Sequence, residues 1–280
     1  MKKLFKKISL KRVCYALLSF ILALTIVAGS VSMIIRLTFL NKGFLSDTLN
    51  SSNYYSDLCV EITDNLTDLG DASGLDRSFF ESFVDEVLVR KNVQSYIDNF
   101  YAGKELVVST AGFEEELRSA LNKYIENKKI KNVNEKNIDY FVAKACKIYE
   151  KSVKITYFSS IQKLVSKLNT LTTVIAIISV LISAGIVCLL LFTNEWKHKS
   201  VRYLYTSVSA SGLFLLSFPL GVYLLGTLGR LSILSRSLSD MYLSVLRGAL
   251  NDLIVFSAVL LVVGISLWVV HNHLRRKAAI

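Results

Sequence analysis

Asp64, Asp68, Asp71 and Asp76 gather around the stretch DLGDASGLD (residues 68–76), where three aspartates and two glycines share nine positions. Carboxylates at that density could ligate a hard cation through oxygen. An EF-hand loop, however, places ligands at positions 1, 3 and 5, glycine at 6 and glutamate at 12. Counting from Asp71 puts Ser73 at position 3 but Leu75 at position 5 and Asp76 at position 6, and counting from Asp68 fails too. Asp64 and Asp68, four apart on a helix, leave with Asp71 a weak cation site as the sharper reading. The preferred reading is punctuation: a helix stops at Gly70, Gly74 serves the turn, and Asp76 or Ser78 caps the next helix with Glu81 behind it. No residue is assigned to a metal, a cofactor or catalysis.

Other reactive side chains are few. His198, His271 and His273 all stand beside apolar runs, so residues 41–168 hold no imidazole for acid–base, nucleophile-activating or zinc chemistry. The chain contains no HExxH, GxSxG, phosphate loop or dinucleotide fingerprint. The expectation is a protein that is not an enzyme and carries no cofactor. Cys14 and Cys188 lie in apolar runs as small filler. Cys59 and Cys146 sit on or beside apolar stripes, where an oxidising exterior permits a bridge and two buried thiols fit the same pattern; free thiols are preferred. The sequons at Asn50 and Asn65 fall in the first helix expected after residue 41 and matter only in a eukaryotic secretory pathway.

The elements that must carry these residues follow from composition. Of 280 residues, 52% are hydrophobic, mean hydropathy is +0.44 and a single proline is present. That is too apolar for an ordinary soluble chain. Residues 13–35, 171–193, 203–229 and 253–270 are uncharged apolar runs, and a helix needs about 20 such residues to cross the hydrocarbon core. The expected fold is an all-α integral membrane protein with four transmembrane helices and a helical extracytoplasmic domain inserted between helices 1 and 2. The first run, after MKKLFKKISLKR, could be a cleaved signal. It is longer than a signal core and reads as an uncleaved anchor.

Lysine and arginine in the short segments set the orientation. Six precede the first span, three lie in NEWKHKSVR (194–202) and three end the chain. The expected order is a basic cytoplasmic tail (1–12), span 1 (13–40), extracytoplasmic domain (41–168), span 2 (169–193), cytoplasmic loop (194–202), span 3 (203–229), extracytoplasmic amphipathic loop (230–252), span 4 (253–270) and a basic cytoplasmic tail (271–280). The Lys-, Asn- and Ile-rich, proline-poor composition suggests a bacterial plasma membrane.

Within residues 41–168, five glycines and no proline favour long helices. Tyr55, Leu58, Cys59, Ile62, Leu66 and Leu69 form one stripe. Phe80, Phe83, Val84, Val87 and Leu88 form a second, opposed on the same wheel by Val93, Tyr96, Ile97 and Phe100. A break near Arg90, with Asn92 capping a new start, reconciles the two. Phe113 to Ile125 give a third helix, with Thr110 as its cap, and Ile138 to Thr156 a fourth, expected to run unbroken from Asn134 to Thr193 as a lever. Only Lys104 to Ala111, with ELVVS, could be extended, and a lone strand would have nothing to pair with. In the third span, Pro219 predicts a kink. Leu231, Leu234, Leu238, Met241, Val245 and Ala249 mark residues 230–251 as an amphipathic helix that lies on the bilayer or covers the base of the domain.

Charge divides the domain. Residues 41–126 hold 16 acids and 7 bases, residues 127–168 hold 3 acids and 10 bases. The fourth helix is expected to pair with its acidic neighbours, and alternatively to meet anionic headgroups or wall polymers. Nucleic acid is not an expected partner, because the domain lies on the other side of the membrane. The order of spans is similar to that of the four-span permeases of cell-division and macrolide-exporter ABC systems, with no shared motif beyond it. Two functions are therefore carried forward: a membrane protein whose outer domain senses or docks an envelope protein or polymer, and a permease-like subunit served by a separate ATPase.

Overall fold

The structure is a computed structural model that describes residues 10–130, 134–194, 197–230 and 235–277. The expectations for residues 1–9 and 278–280, for Glu195 and Trp196, and for Leu231 and Leu234 lie outside the described residues. Among those described, the chain forms α-helices and short 3-10 turns and no strand. Four helices are long and apolar enough to cross a membrane, which makes this a multi-pass membrane protein. The chain divides into two compact units: a membrane unit of residues 1–40, 168–230 and 246–280, and a helical domain of residues 41–167 and 231–245.

The membrane unit is built from α1 (Leu10–Leu37), α8 (Phe158–Phe192, its domain residues ending at Lys167), α9 (Lys197–Leu224) and α10 (Arg236–Lys277, from residue 246). Many of its large apolar side chains point outward, while a cluster of Leu22, Ile186, Leu190 and Leu204 is buried between the helices together with small polar side chains. Ser207 Oγ donates to the carbonyl of Ser19 at 2.7 Å and Ser211 Oγ to that of Ala23 at 3.0 Å, joining α9 to α1. Thr25 and Ser183 hydroxyls meet at 2.9 Å between α1 and α8. The one base inside a span, Arg36, is satisfied by the Thr173 hydroxyl of α8. On α9, a Cβ at Gly212 would stand 3.0 Å from Leu261 Cγ of α10, so glycine sets how closely those helices approach. α9 runs through Pro219 to Leu224.

The helical domain contains α2 (Lys42–Ser51), α3 (Tyr54–Gly70), α4 (Arg77–Glu81), α5 (Glu86–Tyr101), α6 (Ala111–Lys128), α7 (Glu135–Val153), the start of α8 and the start of α10. α3 is the central element, packed on α2, α4, α5 and α7. Its stripe, Tyr55, Leu58, Ile62 and Leu66, is buried as its spacing requires. The glycine and capping signals around residue 70 also hold. α3 ends at Gly70, Gly74 adopts φ 72°, and the Asp76 carboxylate accepts from the Phe79 amide to start α4. Gly70 has a second reason to be glycine, because a Cβ there would lie 2.6 Å from the Phe80 ring.

Four expectations are corrected. α5 does not break near Arg90. It begins after Asp85, whose carboxylate caps Val87, and the change of face occurs where α4 gives way to α5. Val87, assigned to the stripe, is 71% exposed, while Asn92 is no cap but a core residue that donates to the Tyr149 hydroxyl at 2.8 Å. Second, the two sequons lie in different helices, Asn50 in α2 and Asn65 in α3.

Third, the long helix from Asn134 is interrupted. α7 ends at Val153, Lys154 is extended, Tyr157 takes φ 71°, and α8 starts at Phe158. Val153, Ile155 and Phe158 are all buried. An unbroken helix would turn Val153 and Ile155 about 200° apart at 100° per residue, so the short extended link is what lets both face the core. Gln162 then fastens the first turns of α8 by donating to the Lys104 carbonyl at 2.8 Å.

Fourth, the amphipathic helix expected in residues 230–251 is present from Arg236 and packs on the helical domain, but it is not a separate loop element: it is the beginning of α10, and no break separates it from the last span. Leu238, Met241, Tyr242 and Val245 of that segment pack into the helical domain's core, with Met241 only 1% exposed. Ala249, placed on the same stripe, is buried within the membrane unit.

Candidate functional site

The first two turns of α10 are held to the domain by polar as well as apolar contacts. Ser237 Oγ donates to Glu61 Oε2 of α3 at 2.6 Å, Arg236 Nε stands 3.5 Å from Asp57 Oδ1, and the Tyr242 hydroxyl donates to the Thr156 carbonyl at 3.1 Å. The Asp240 carboxyl lies close enough to Asp57 to act on it electrostatically. Burial and then Asp240 raise the Asp57 pKa above the usual carboxylate range, against the opposing pull of Arg236. Burial likewise raises the phenols of Tyr54 and Tyr242. The arrangement contains no nucleophile.

Beside the Tyr242–Thr156 contact, an open groove of about 620 Å³ runs along the break between α7 and α8. Lys147, Lys151 and Lys154 line it with Glu150, Tyr96 and Tyr157. Lys154 pairs with Glu150 of its own segment at 2.5 Å. The expected pairing of α7 lysines with the acidic helices does not occur among the described residues. The bridge between α6 and α7 has the opposite sense, Arg118 to Asp139 at 2.9 Å.

The other residues singled out by type are dispersed. Asp64 is bound by Arg77, which also holds Glu81, while Asp71 opens the 3-10 turn Asp71–Ser73. No group of three acids, cysteines or histidines suited to a metal occurs among the described residues. Cys59 and Cys146 are unbridged. Burial pushes the Cys59 thiol up to about 11, so it stays protonated and unreactive at neutral pH. In the membrane unit, His271 Nδ1 lies 2.7 Å from the His198 carbonyl. A carbonyl only accepts, so Nδ1 carries the proton and the contact ties α10 to α9. Asp57 and Glu61 were not singled out by sequence, and Asp240, which the sequence places on the polar side of the 230–251 stripe facing water or headgroups, is half-buried.

No protein-family model matches this chain, and neither a curated protein nor a solved structure resembles it at a significant level.

Proposed function

We propose that the chain is a non-enzymatic multi-pass protein of a bacterial plasma membrane, with both termini cytoplasmic and the helical domain outside, where it senses or docks a partner in the envelope. The observation that carries this reading is α10. It is one uninterrupted helix of 42 residues, about 63 Å at 1.5 Å per residue, and its first turns are part of the domain's own core. A partner that changes the packing of Met241 or the Ser237–Glu61 contact acts on a helix that has no joint before the last span. α8 supports the same reading from Phe158 onward. The groove with Lys147, Lys151 and Lys154 offers an anionic protein or wall polymer a place to bear on Thr156, whose carbonyl holds Tyr242.

The permease-like alternative rests on the order of the spans. The stretch between the second and third apolar runs, residues 194–202, is short for an ATPase to grip. Intact-cell labelling of single cysteines, in a background without the native four, should modify position 122 and spare position 273; the reverse order sinks the orientation. A photo-crosslinker at Tyr157 should then yield an adduct with an envelope component in cells. An ATPase adduct from position 199, with none from position 157, would move the assignment to the permease-like subunit.

A further inference from the structure

At the end of the membrane unit where α1 and α9 begin and α8 and α10 finish, a cavity of about 810 Å³ is lined by Arg12, Tyr15, Ser19, Thr193, Asn194, Lys199, Arg202, Tyr203 and Thr206, with Ala16. Three of the described lining residues are cations and none is an acid. We propose that this cavity is a binding site for a phosphate group, presented either by the headgroup of an anionic lipid or by a soluble phosphate ester.

The site is shaped by side chains already committed to structure. Tyr15 donates to the Thr193 carbonyl at 3.1 Å and its ring stands 5.8 Å from that of Tyr203, which makes one wall. Ser19 lies 2.7 Å from Ser207, and Thr206 donates to the Tyr203 carbonyl at 2.9 Å, which fixes the floor. Against this scaffold the guanidinium groups of Arg12 and Arg202 come from two different helices. Gathering like charges in one cavity is unfavourable unless an anion joins them, and planar guanidinium forks match phosphate oxygens in pairs. Asn194 supplies a separate sign. Its Nδ2 is buried and has no acceptor, and a donor in that position costs free energy until an oxygen reaches it. The positive end of α9, which begins at Lys197, adds to the same field. The volume falls in the range of pockets that enclose a small ligand or headgroup. Snorkelling anchors explain basic residues at a membrane edge, but not a buried amide donor beside them.

The test uses the full-length protein, compared as wild type, Arg12→Gln with Arg202→Gln, and a charge-matched control, Arg276→Gln with Lys277→Gln. Native mass spectrometry from neutral detergent with equal phosphatidylglycerol and phosphatidylcholine reads the lipid source; calorimetry with inorganic pyrophosphate in phosphatidylcholine nanodiscs reads the soluble one. Wild type should retain one phosphatidylglycerol, or bind one pyrophosphate, at least tenfold more tightly than the Arg12/Arg202 variant, with the control within twofold of wild type. Retention of phosphatidylglycerol alone assigns a headgroup site, and pyrophosphate binding alone a soluble ester. If the double variant fails to insert, Arg202→Gln alone should still lose at least threefold. No preference for either phosphate over phosphatidylcholine, equal binding by wild type and the Arg12/Arg202 variant, or an equal loss in the control overturns the proposal.

Discussion

The helical domain and the membrane unit are both all-helical, yet they are held together by different chemistry. In the domain, large side chains close the core: Phe79, Phe80, Phe113 and Tyr149 interlock, with Phe113 stacked on Tyr149 at 4.3 Å. In the membrane unit the comparable side chains, Phe214, Phe218 and Leu220 among them, face outward. Its helices meet through a small buried cluster of Leu22, Ile186, Leu190 and Leu204 and through Ser, Thr and Gly. Water drives apolar side chains together in the first case. Lipid tails are as apolar as leucine, so in the second close packing, near backbone approach and hydroxyl-to-carbonyl bonds distinguish inside from outside.

The sharpest way to break this contrast is to truncate one aromatic in each unit. Phe80→Ala removes a ring with no exposed surface and should cost the domain about 3–5 kcal/mol, read as loss of protection from limited proteolysis. Phe214→Ala, at a residue 66% exposed, should leave helix content and detergent-extracted melting temperature unchanged. Comparable losses from both would mean the membrane unit also packs by large-residue burial.

A smaller effect is expected from polar contacts, and again the two units should differ. Tyr149→Phe leaves the buried Asn92 amide without its partner and should cost about 1–3 kcal/mol in a denaturant titration. Ser207→Ala removes the α9–α1 bond and should cost about 0.6 kcal/mol in a membrane setting. A larger loss at Ser207 than at Tyr149 would reverse the comparison.

The smallest effect is pH-dependent and confined to the start of α10. The folded pKa of Asp57 is raised by burial and by Asp240, so the folded state holds the proton more tightly than the unfolded one. The stabilisation is full below the ordinary carboxylate pKa and is lost as pH rises through the raised value. Hydrogen exchange of residues 236–245 should therefore slow on acidification from neutral pH. Glu61, Arg236, Tyr54 and Tyr242 surround the pair. Asp57→Asn should flatten the dependence on the acid side while keeping α10 docked, and an unchanged pH profile in that variant would remove the carboxyl pair as its cause.

Local signals were legible wherever a residue acts on its own stretch of chain. The Gly70 stop, the Asp76 cap and the stripe of α3 all appear where spacing put them. The break at residues 154–157 was not, because KITY contains neither glycine nor proline, and its reason is the burial of Val153, Ile155 and Phe158 by distant helices. Asn92 has the composition of a helix cap and becomes a core donor only because Tyr149 arrives from 57 positions away. The candidate sites share this property: Asp57 with Asp240, and Arg12 with Arg202, are each far apart in sequence.

By itself, the sequence determined that four helices are long and apolar enough to cross a membrane, since about 20 uncharged apolar residues span the hydrocarbon core. It also determined where α3 ends and α4 begins, because glycine and aspartate act on the backbone within a turn of themselves. Only the tertiary structure decided that the start of the last helix belongs to the helical domain. The stripe Leu238, Met241 and Val245 suits a bilayer surface or a protein core equally well, and periodicity carries no address. The choice was made by Glu61, Thr156 and the aromatic core, which satisfy the hydroxyls of Ser237 and Tyr242 and bury Met241 together.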